Sequence, residues 1–297
     1  MSDAQGMLSL VPTPIGNLGD ITLRALDVLR QADAVYAEDT RVTGKLLAAY
    51  DISAPIVRLD EALMEARAGE VVDRVAQGER IAFCSDAGMP GVSDPGLRLV
   101  KAARAADAPY EVLPGASAAA LAYVASGTEN PHYHFGAFLP RKAAEQRVLF
   151  SSLQDLDAAL VFYESPKRII ATLQTVAEAF PHREVAVCRE LTKLHEEILR
   201  GAPAEVARIL QERADEQGSV KGEIVLVIDA PTEAESLAAA EDAHMRAETL
   251  ARELVGEGLR TKEVAARLVE ECGVVRNEAY DIAVAASKAV SSAEGAR

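Results

Sequence analysis

The sequence predicts an α/β protein with two α/β domains, followed by a C-terminal helical segment. Short apolar runs alternate with helical patterns over most of the chain, which is typical of largely parallel sheets covered by helices. At 297 residues the chain also exceeds the usual size of a single core. We expect an N-terminal α/β domain over residues 1–116, a second α/β domain over 117–231 and a helical tail over 232–297.

Ten apolar runs are the predicted strands. They are Leu8–Val11, Ala34–Ala37, Ile56–Leu59, Ile81–Cys84 and Glu111–Leu113 in the first half, then His134–Leu139, Leu160–Tyr163, Glu184–Cys188, Glu196–Leu199 and Ile224–Ile228. The last three are separated by only one helical stretch, so the second sheet is expected to be mixed. After the first strand, Thr22 is expected to cap a helix whose Leu23, Leu26 and Leu29 form one buried stripe.

The tail after Pro231 has the pattern of helices alone, predicted over Glu235–Gly256, Thr261–Glu271 and Asn277–Val290. The second and third of these have the proportions of a helix-turn-helix. From Asp229 onward the chain holds 14 acidic and 8 basic residues, whereas a DNA-reading segment is normally basic. The composition therefore favours a packing or dimerising helical cap over direct nucleic-acid contact by this segment.

The overall composition indicates a cytoplasmic protein. A net charge of −15 argues against loose, charge-driven nucleic-acid binding, although a local basic rim can exist on an acidic body. We expect no signal peptide and no membrane span, because the run Ala116–Ala125 is too short. Cys84, Cys188 and Cys272 are far apart, which predicts core thiols in a reducing compartment and no metal site.

The most informative segment is Ile81–Gly96, a buried strand followed by a loop dense in glycine and proline. Ligands bind beyond the carboxyl ends of the strands in open α/β sheets. Small residues allow close backbone approach there, and Ser85, Asp86, Ser93 and Asp94 supply polar groups. A purely structural turn is the alternative, but the density of these residues favours a binding site.

Other predicted strands also end in polar residues. The first turn, Val11–Asp20, lacks the glycine pattern of a dinucleotide site, which disfavours a nicotinamide enzyme. Charged side chains follow the second strand at Glu38–Arg41 and two later strands at Glu164–Arg168 and Arg189–Glu197. With Arg141, Lys142 and Arg147 the later ones form a basic rim suited to phosphate contact; helix capping and solvated ion pairing are the alternatives.

No arrangement typical of a nucleophilic or metal enzyme is found in the sequence. A reaction at these strand ends would therefore depend on positioning an already reactive cofactor.

Seven ordered motifs give the chain a family resemblance. They are Val11–Leu18, Ala37–Arg41, Ser85–Gly88 with Ser93–Gly96, Phe138–Lys142, Phe162–Pro166, Arg189–Lys193 and Lys221–Glu223. Together they resemble the ribosomal RNA small subunit methyltransferase I family, within the tetrapyrrole-methylase-like class of S-adenosylmethionine (SAM) enzymes. The resemblance implies a homodimer of two-domain subunits, with SAM in a cleft between the two domains. It also implies 2′-O-methylation of a decoding-centre cytidine in the 16S rRNA of the small ribosomal subunit.

The resemblance also implies site residues. Those implied to line the cofactor cleft are Pro14, Gly16, Asp86, Ala87, Gly88, Met89, Val92, Ser93, Ser117, Ala118, Tyr163, Leu191 and Glu223. Those expected to face the acceptor are Glu38, Arg41, Arg141, Lys142, Lys167, Arg168 and Arg189. Asp39, Glu164 and Lys193 are candidates for a base, although we expect positioning to dominate, with no single base essential.

The chain departs from the family pattern at three places. Met89 stands where the family usually has Thr, Ala116 stands where it usually has Pro, and Arg58–Leu63 replaces a His-rich acidic run. Met89 and Ala116 are expected to lie beside the cofactor, and the Arg58–Leu63 run is expected to affect the geometry of the acceptor. Two alternatives stay open: a tetrapyrrole or corrin methyltransferase, against which the basic rim argues, and a non-catalytic SAM-binding rRNA assembly factor.

Overall fold

The computed structural model describes residues 6–294, with side chains described through residue 289. Its strands are β1 Met7–Leu10, β2 Ala34–Ala37, β3 Ile56–Arg58, β4 Arg80–Cys84, β5 Tyr110–Val112, β6 Tyr133–Phe138, β7 Ala159–Glu164, β8 Val185–Arg189, β9 Glu197–Gly201 and β10 Ile224–Ile228. All ten predicted strands are present, with ends that differ by at most two residues. The α/β class predicted from the alternating pattern is confirmed.

The helices are α1 Leu23–Gln31, α2 Thr40–Ala49, α3 Glu61–Ala76, α4 Gly96–Ala105, α5 Ala118–Ser126, α6 Ala143–Ser152, α7 Ile169–Ala179, α8 Pro203–Gln217, α9 Glu233–Gly256, α10 Thr261–Cys272 and α11 Arg276–Glu294. Within residues 6–294, no helix is long and apolar enough to cross a bilayer.

The first sheet is parallel throughout, with strand order β3-β2-β4-β1-β5. Successive side chains of a strand point to opposite faces, so each face of the sheet has its own core. In β4, Phe83 packs with Leu8 and Leu99 on one face, whereas Cys84 packs with Leu29 on the other. A sheet buried on both faces leaves its strand ends as the place for polar groups.

The predicted stripe of helix α1 needs one correction. Thr22 caps the helix as predicted, accepting a hydrogen bond from the backbone N–H of Ala25 at 3.1 Å. Leu26 and Leu29 are buried, but Leu23 is 81% exposed, so its inclusion in the stripe was wrong. At 100° per residue Leu23 and Leu29 lie about 120° apart, and Ala25 instead completes the buried face.

The second sheet is mixed, as predicted, with strand order β6-β7-β10-β8-β9. Strand β6 is parallel to β7, and β10 is antiparallel to both of its neighbours, β7 and β8. Because β10 is inserted there, Ile224 at its start is in register with Glu164 at the end of β7 and Arg189 at the end of β8. Helix α5 packs on this sheet, where Ala119 and Ala122 contact its core.

Both sheets belong to one compact unit, formed by residues 6–151 and 158–230. A second unit contains residues 152–157 and 231–294, and it has its own core. In that unit Thr232 and Glu235 form a capping box at the start of α9. Gly273, with a φ of +74°, ends α10 in the left-handed conformation that favours glycine. The division into three domains stays a prediction.

Candidate active site

A cavity of about 470 Å³ lies where strand ends of both sheets meet, and we call it the cleft. This volume is within the range of about 300 to 1,000 Å³ that small-molecule sites occupy. Its lining residues are Ile15, Glu38, Asp86, Ala87, Gly88, Met89, Val92, Ser93, Asp94, Ser117, Ala118, Phe138, Tyr163, Glu164, Ser165, Pro166, Cys188, Leu191, Gly222, Glu223, Ile224 and Val225.

One wall of the cleft is the loop that follows β4. Gly88 has a φ of +82° and forms a two-bond bridge with Thr13, in which each backbone N–H donates to the other residue's carbonyl at 3.0 Å. Ser93 also has a positive φ, +66°, which costs a non-glycine residue free energy and persists only where the surrounding structure enforces it. The turn after β1 thus holds the loop at Gly88.

Three carboxylates of the first sheet line this wall. Asp86 Oδ1 accepts a hydrogen bond from the backbone N–H of Asp39 at 2.9 Å. Burial, followed by the charge of Glu38, raises the pKa of Asp94 to about 6. Burial, followed by the charge of Asp86, also raises the pKa of Glu38, whose Oε2 is buried without a hydrogen-bond partner among the described residues. The wall therefore suits a ligand that carries positive charge.

The opposite wall is held together by Glu190, which follows β8. Its Oε1 accepts hydrogen bonds from the backbone N–H of Glu223 and from Nζ of Lys193, both at 2.9 Å. Its own N–H donates to the Glu223 carbonyl at 3.0 Å. Gly222 passes so close that a Cβ there would lie 2.6 Å from Glu190 Cγ. Glu190 thereby fixes Leu191 and Glu223, which both line the cleft.

Glu164 lines the cleft at the end of β7, but its side chain is fully buried. Its Oε1 pairs with Arg168 Nη2 at 2.6 Å and accepts the Ser165 N–H at 2.5 Å, and its Oε2 accepts from the Thr172 hydroxyl at 2.8 Å. Because both oxygens are occupied, this carboxylate anchors the strand end to helix α7.

The implied cofactor residues come together in the cleft with two exceptions. Pro14 and Gly16 line a neighbouring cavity of about 350 Å³. Gly16 instead packs against the loop after β8, where a Cβ would lie 2.5 Å from Lys193 Cγ and 2.7 Å from Thr192 Oγ1. The first turn therefore contacts both walls outside the cleft, through Thr13 on one side and Gly16 on the other.

Two of the three candidate bases lie outside the cleft lining. The Arg41 guanidinium binds Asp39 Oδ2 at 2.6 Å and holds the pKa of that carboxyl well below its usual range. Lys193 is paired with Glu190 at 2.9 Å and with Glu223 at 3.2 Å. The Asp39 carboxylate and the Lys193 amine are therefore both paired, and neither lines the cleft. A role as base stays a prediction for all three candidates.

The residues implied to face the acceptor have several different surroundings. Glu38 lines the cleft, and Arg41 is paired with Asp39 outside it. Lys142, Arg168 and Arg189 form ion pairs with Glu145, Glu164 and Glu197, respectively. Arg141 and Lys167 are exposed beyond the ends of β6 and β7.

Several lining residues were absent from the implied set. Asp94 and Gly222 belong to motifs seen in the sequence, so their signal was present. Ile224 and Val225 gave no such signal, because their position depends on the insertion of β10 between β7 and β8.

The residues present in the cleft suit a nucleoside with a cationic group. Ile15, Val92, Leu191 and Val225 offer an apolar surface for a flat base, and the first-sheet carboxylates offer acceptors and negative charge. No group of His, Cys, Asp and Glu side chains in the part of the chain that the structure describes could hold a metal ion. The three cysteines are buried and free, as expected of core thiols.

Comparisons with known proteins agree with this picture of the fold. Residues 7–207 match the family described as Tetrapyrrole (Corrin/Porphyrin) Methylases. The chain is 40% identical to "Ribosomal RNA small subunit methyltransferase I" of Micromonospora olivasterospora, over 93% of this chain and 86% of the relative. It is 37% identical to the protein of the same name from Bacillus subtilis (strain 168), over 93% of each.

Two solved structures share the fold at low sequence identity. A diphthine synthase aligns with a TM-score of 0.59 and 14% identity, over 78% of this chain and 93% of that one. A uroporphyrin-III C-methyltransferase from Thermus thermophilus, complexed with S-adenyl homocysteine, aligns with a TM-score of 0.50 and 19% identity, over 75% of this chain and 97% of that one.

Proposed function

The chain belongs to the tetrapyrrole (corrin/porphyrin) methylase family, and from this we propose that it is a SAM-dependent rRNA methyltransferase. The proposed reaction is methylation of the ribose 2′-oxygen of a decoding-centre cytidine in 16S rRNA of the small ribosomal subunit. The names of relatives that cover most of the chain support rRNA of the small subunit as the substrate.

The observation that carries the proposal is the acidic cleft, bounded by a fixed wall from each sheet. SAM supplies a methyl group that its sulfonium charge has already activated. Glu38, Asp86 and Asp94 would complement its positive charge, and Ile15 and Leu191 would contact its base. The cleft has the acceptor groups, the negative charge and the volume that such a ligand requires, so the residues fit it.

We propose that the protein accelerates this transfer mainly by positioning. Its walls orient the acceptor hydroxyl and exclude water, which accounts for large rate effects without a nucleophile. The hydroxyl proton would leave toward Glu38 Oε2, the buried acceptor without a partner among the described residues. Alanine replacement of Asp39, Glu164 or Lys193, one at a time, is expected to slow turnover but not abolish it while SAM and RNA remain bound.

We further propose that the protein acts in the cytoplasm as a homodimer. Strand β5 lies at an edge of the first sheet and its Val112 is exposed, so it offers a surface for contact with a second copy. Light scattering after size-exclusion chromatography tests this, and a mass of one chain at micromolar concentration would contradict it.

Transfer of tritiated methyl from SAM tests the function. The acceptor is small subunits from cells that lack the modification, and fully modified subunits are the control. We expect label in 16S rRNA of the unmodified subunits only, located as a 2′-O-methylcytidine after nuclease digestion. Label on a free tetrapyrrole would favour a corrin or porphyrin methyltransferase, and SAM binding without transfer would favour an assembly factor.

A further inference from the structure

A further cavity, distinct from the one lined by Pro14 and Gly16, opens beside the cleft, and we call it the side cavity. Its volume is about 410 Å³, and its lining includes Arg189, Arg213, Lys221 and His195. Gly222 lines both the side cavity and the cleft, so a single stretch of backbone separates them. The side cavity is therefore adjacent to the reaction site and chemically different from it.

The sheet order explains why cations collect there. Because β10 runs antiparallel to β7 and β8, its start lies at the same sheet edge as their ends, with Glu164, Ile224 and Arg189 in register. Neighbouring strands are about 4.8 Å apart, which puts Glu164 and Arg189 about 10 Å apart. Lys167 follows β7, Lys221 precedes β10 and Arg189 ends β8, so cations recur along this edge.

Glu197 holds two of these cations in place. Its Oε2 accepts from Arg189 Nε at 3.1 Å, and its Oε1 accepts from Arg213 Nη1 at 2.5 Å. Arg189 Nη1 also reaches the Lys221 carbonyl at 3.4 Å. A guanidinium has five N–H donors, so both arginines keep donors for a further anion. The pairing with Glu197 thus orients the two side chains.

The other charges leave the side cavity suited to an anion. Lys221 is exposed, and its ammonium has no hydrogen-bond or ion-pair partner among residues 6–289. Glu190 is the acid of the lining, and its carboxylate is already bound by Lys193 and by the Glu223 N–H. Arg189, Arg213 and Lys221 are therefore the charges that an incoming ligand meets.

We propose that the side cavity binds a backbone phosphate of the acceptor RNA next to the nucleotide whose ribose enters the cleft. This assignment rests on the proposed function, which supplies RNA as the acceptor. A phosphodiester suits two oriented guanidinium groups and one lysine. Arginine can donate two hydrogen bonds to two oxygens of one phosphate, and lysine binds phosphate as a point charge. The chain has a net charge of −15, so local cations are needed to bind a polyanion.

The test is the salt dependence of binding to unmodified small subunits, measured for Lys221→Gln and Arg213→Gln. Arg208→Gln is the matched control. Arg208 lies on helix α8 like Arg213, pairs with Glu212 at 2.6 Å and is outside the side cavity. Loss of one phosphate contact lowers the slope of log K against log salt by about 1. We expect that reduction and several-fold weaker binding in the two test variants, with an unchanged SAM dissociation constant.

The outcomes separate this inference from the proposed function. Equal affinity and slope in Lys221→Gln and the Arg208→Gln control would overturn the inference, provided that the wild type methylates the subunits. Absence of methyl transfer by a wild type that binds SAM would instead overturn the proposed function. Lys221 is exposed and has no partner in the described part of the chain, so its variant keeps the test valid even if loss of the Arg213–Glu197 pair disturbs folding.

Discussion

Replacement of Glu190 by alanine tests whether one carboxylate organises the second wall of the cleft. The change removes the acceptor for the Glu223 N–H and the partner of Lys193. A hydrogen bond to a charged group contributes about 1.5 to 3 kcal/mol, and a partly exposed ion pair about 0.2 to 1 kcal/mol. We expect the free energy of unfolding to fall by about 2 to 4 kcal/mol. Glu190 has a φ of +53°, and alanine keeps the same backbone requirement, so strain does not change.

A graded series makes the prediction specific. Glu190→Gln keeps an oxygen for the Glu223 N–H and loses only the charge, so its cost is expected to be about 1 kcal/mol or less. Glu212→Ala, which removes a generic exposed ion pair with Arg208, is the control and should cost still less. In Glu190→Ala the second wall is less ordered before SAM binds, so part of the binding free energy is used to order it. If that part is about 1.4 kcal/mol, the SAM dissociation constant rises tenfold.

Urea unfolding and isothermal titration with SAM measure the two effects. The hydrogen bond from the Glu223 N–H, and then Lys193, lower the pKa of Glu190 from its usual 4.5. Its contribution to stability is therefore present above that value and is lost as the pH falls through the lower folded-state pKa. Equal stability and equal SAM affinity of wild type and Glu190→Ala at pH 7 would refute the reasoning.

Two further predictions concern the same unit. Gly222→Ala should unfold at a markedly lower temperature than Gly218→Ala. Both glycines have a positive φ, but only at Gly222 would the added Cβ collide with Glu190. Equal melting temperatures of the two variants would contradict this. Asp94→Asn should gain stability relative to wild type as the pH rises from about 4 to above 6, because a pKa raised from 3.8 to about 6 means that ionisation of Asp94 disfavours the fold. Unfolding curves at pH 4 and pH 8 check the sign, and a constant difference would contradict it.

The local sequence determined the secondary structure and one half of the cleft. Strands such as Ile81–Cys84 are predicted because a run of apolar residues can be buried only in a sheet or a core helix, and glycine and proline mark its end. The loop Asp86–Ser93 was expected at the site for the same reason, and it lines the cleft. Leu23 shows the limit of such patterns, since spacing alone does not say which part of a helix face a sheet covers.

Only the tertiary structure decided which distant charged side chains meet. Asp39 and Glu164 bind the nearby Arg41 and Arg168, which agrees with the ion-pairing alternative, and Lys193 binds the nearby Glu190. The contact of Lys193 with Glu223 joins distant parts of the chain, and no local pattern indicated it. Long charged side chains reach several neighbours, and which neighbour is nearest depends on strand order and register.

The insertion of β10 between β7 and β8 is the clearest example. It brings Gly222 and Glu223 beside Glu190, so residues more than thirty positions apart form one wall of the cleft and one side of the side cavity. Apolar runs predict where strands form, because the pattern that marks a segment for burial is contained within that segment. They do not specify which strands pair, because backbone hydrogen bonds are the same for every strand, and only the packing of the whole sheet selects the order.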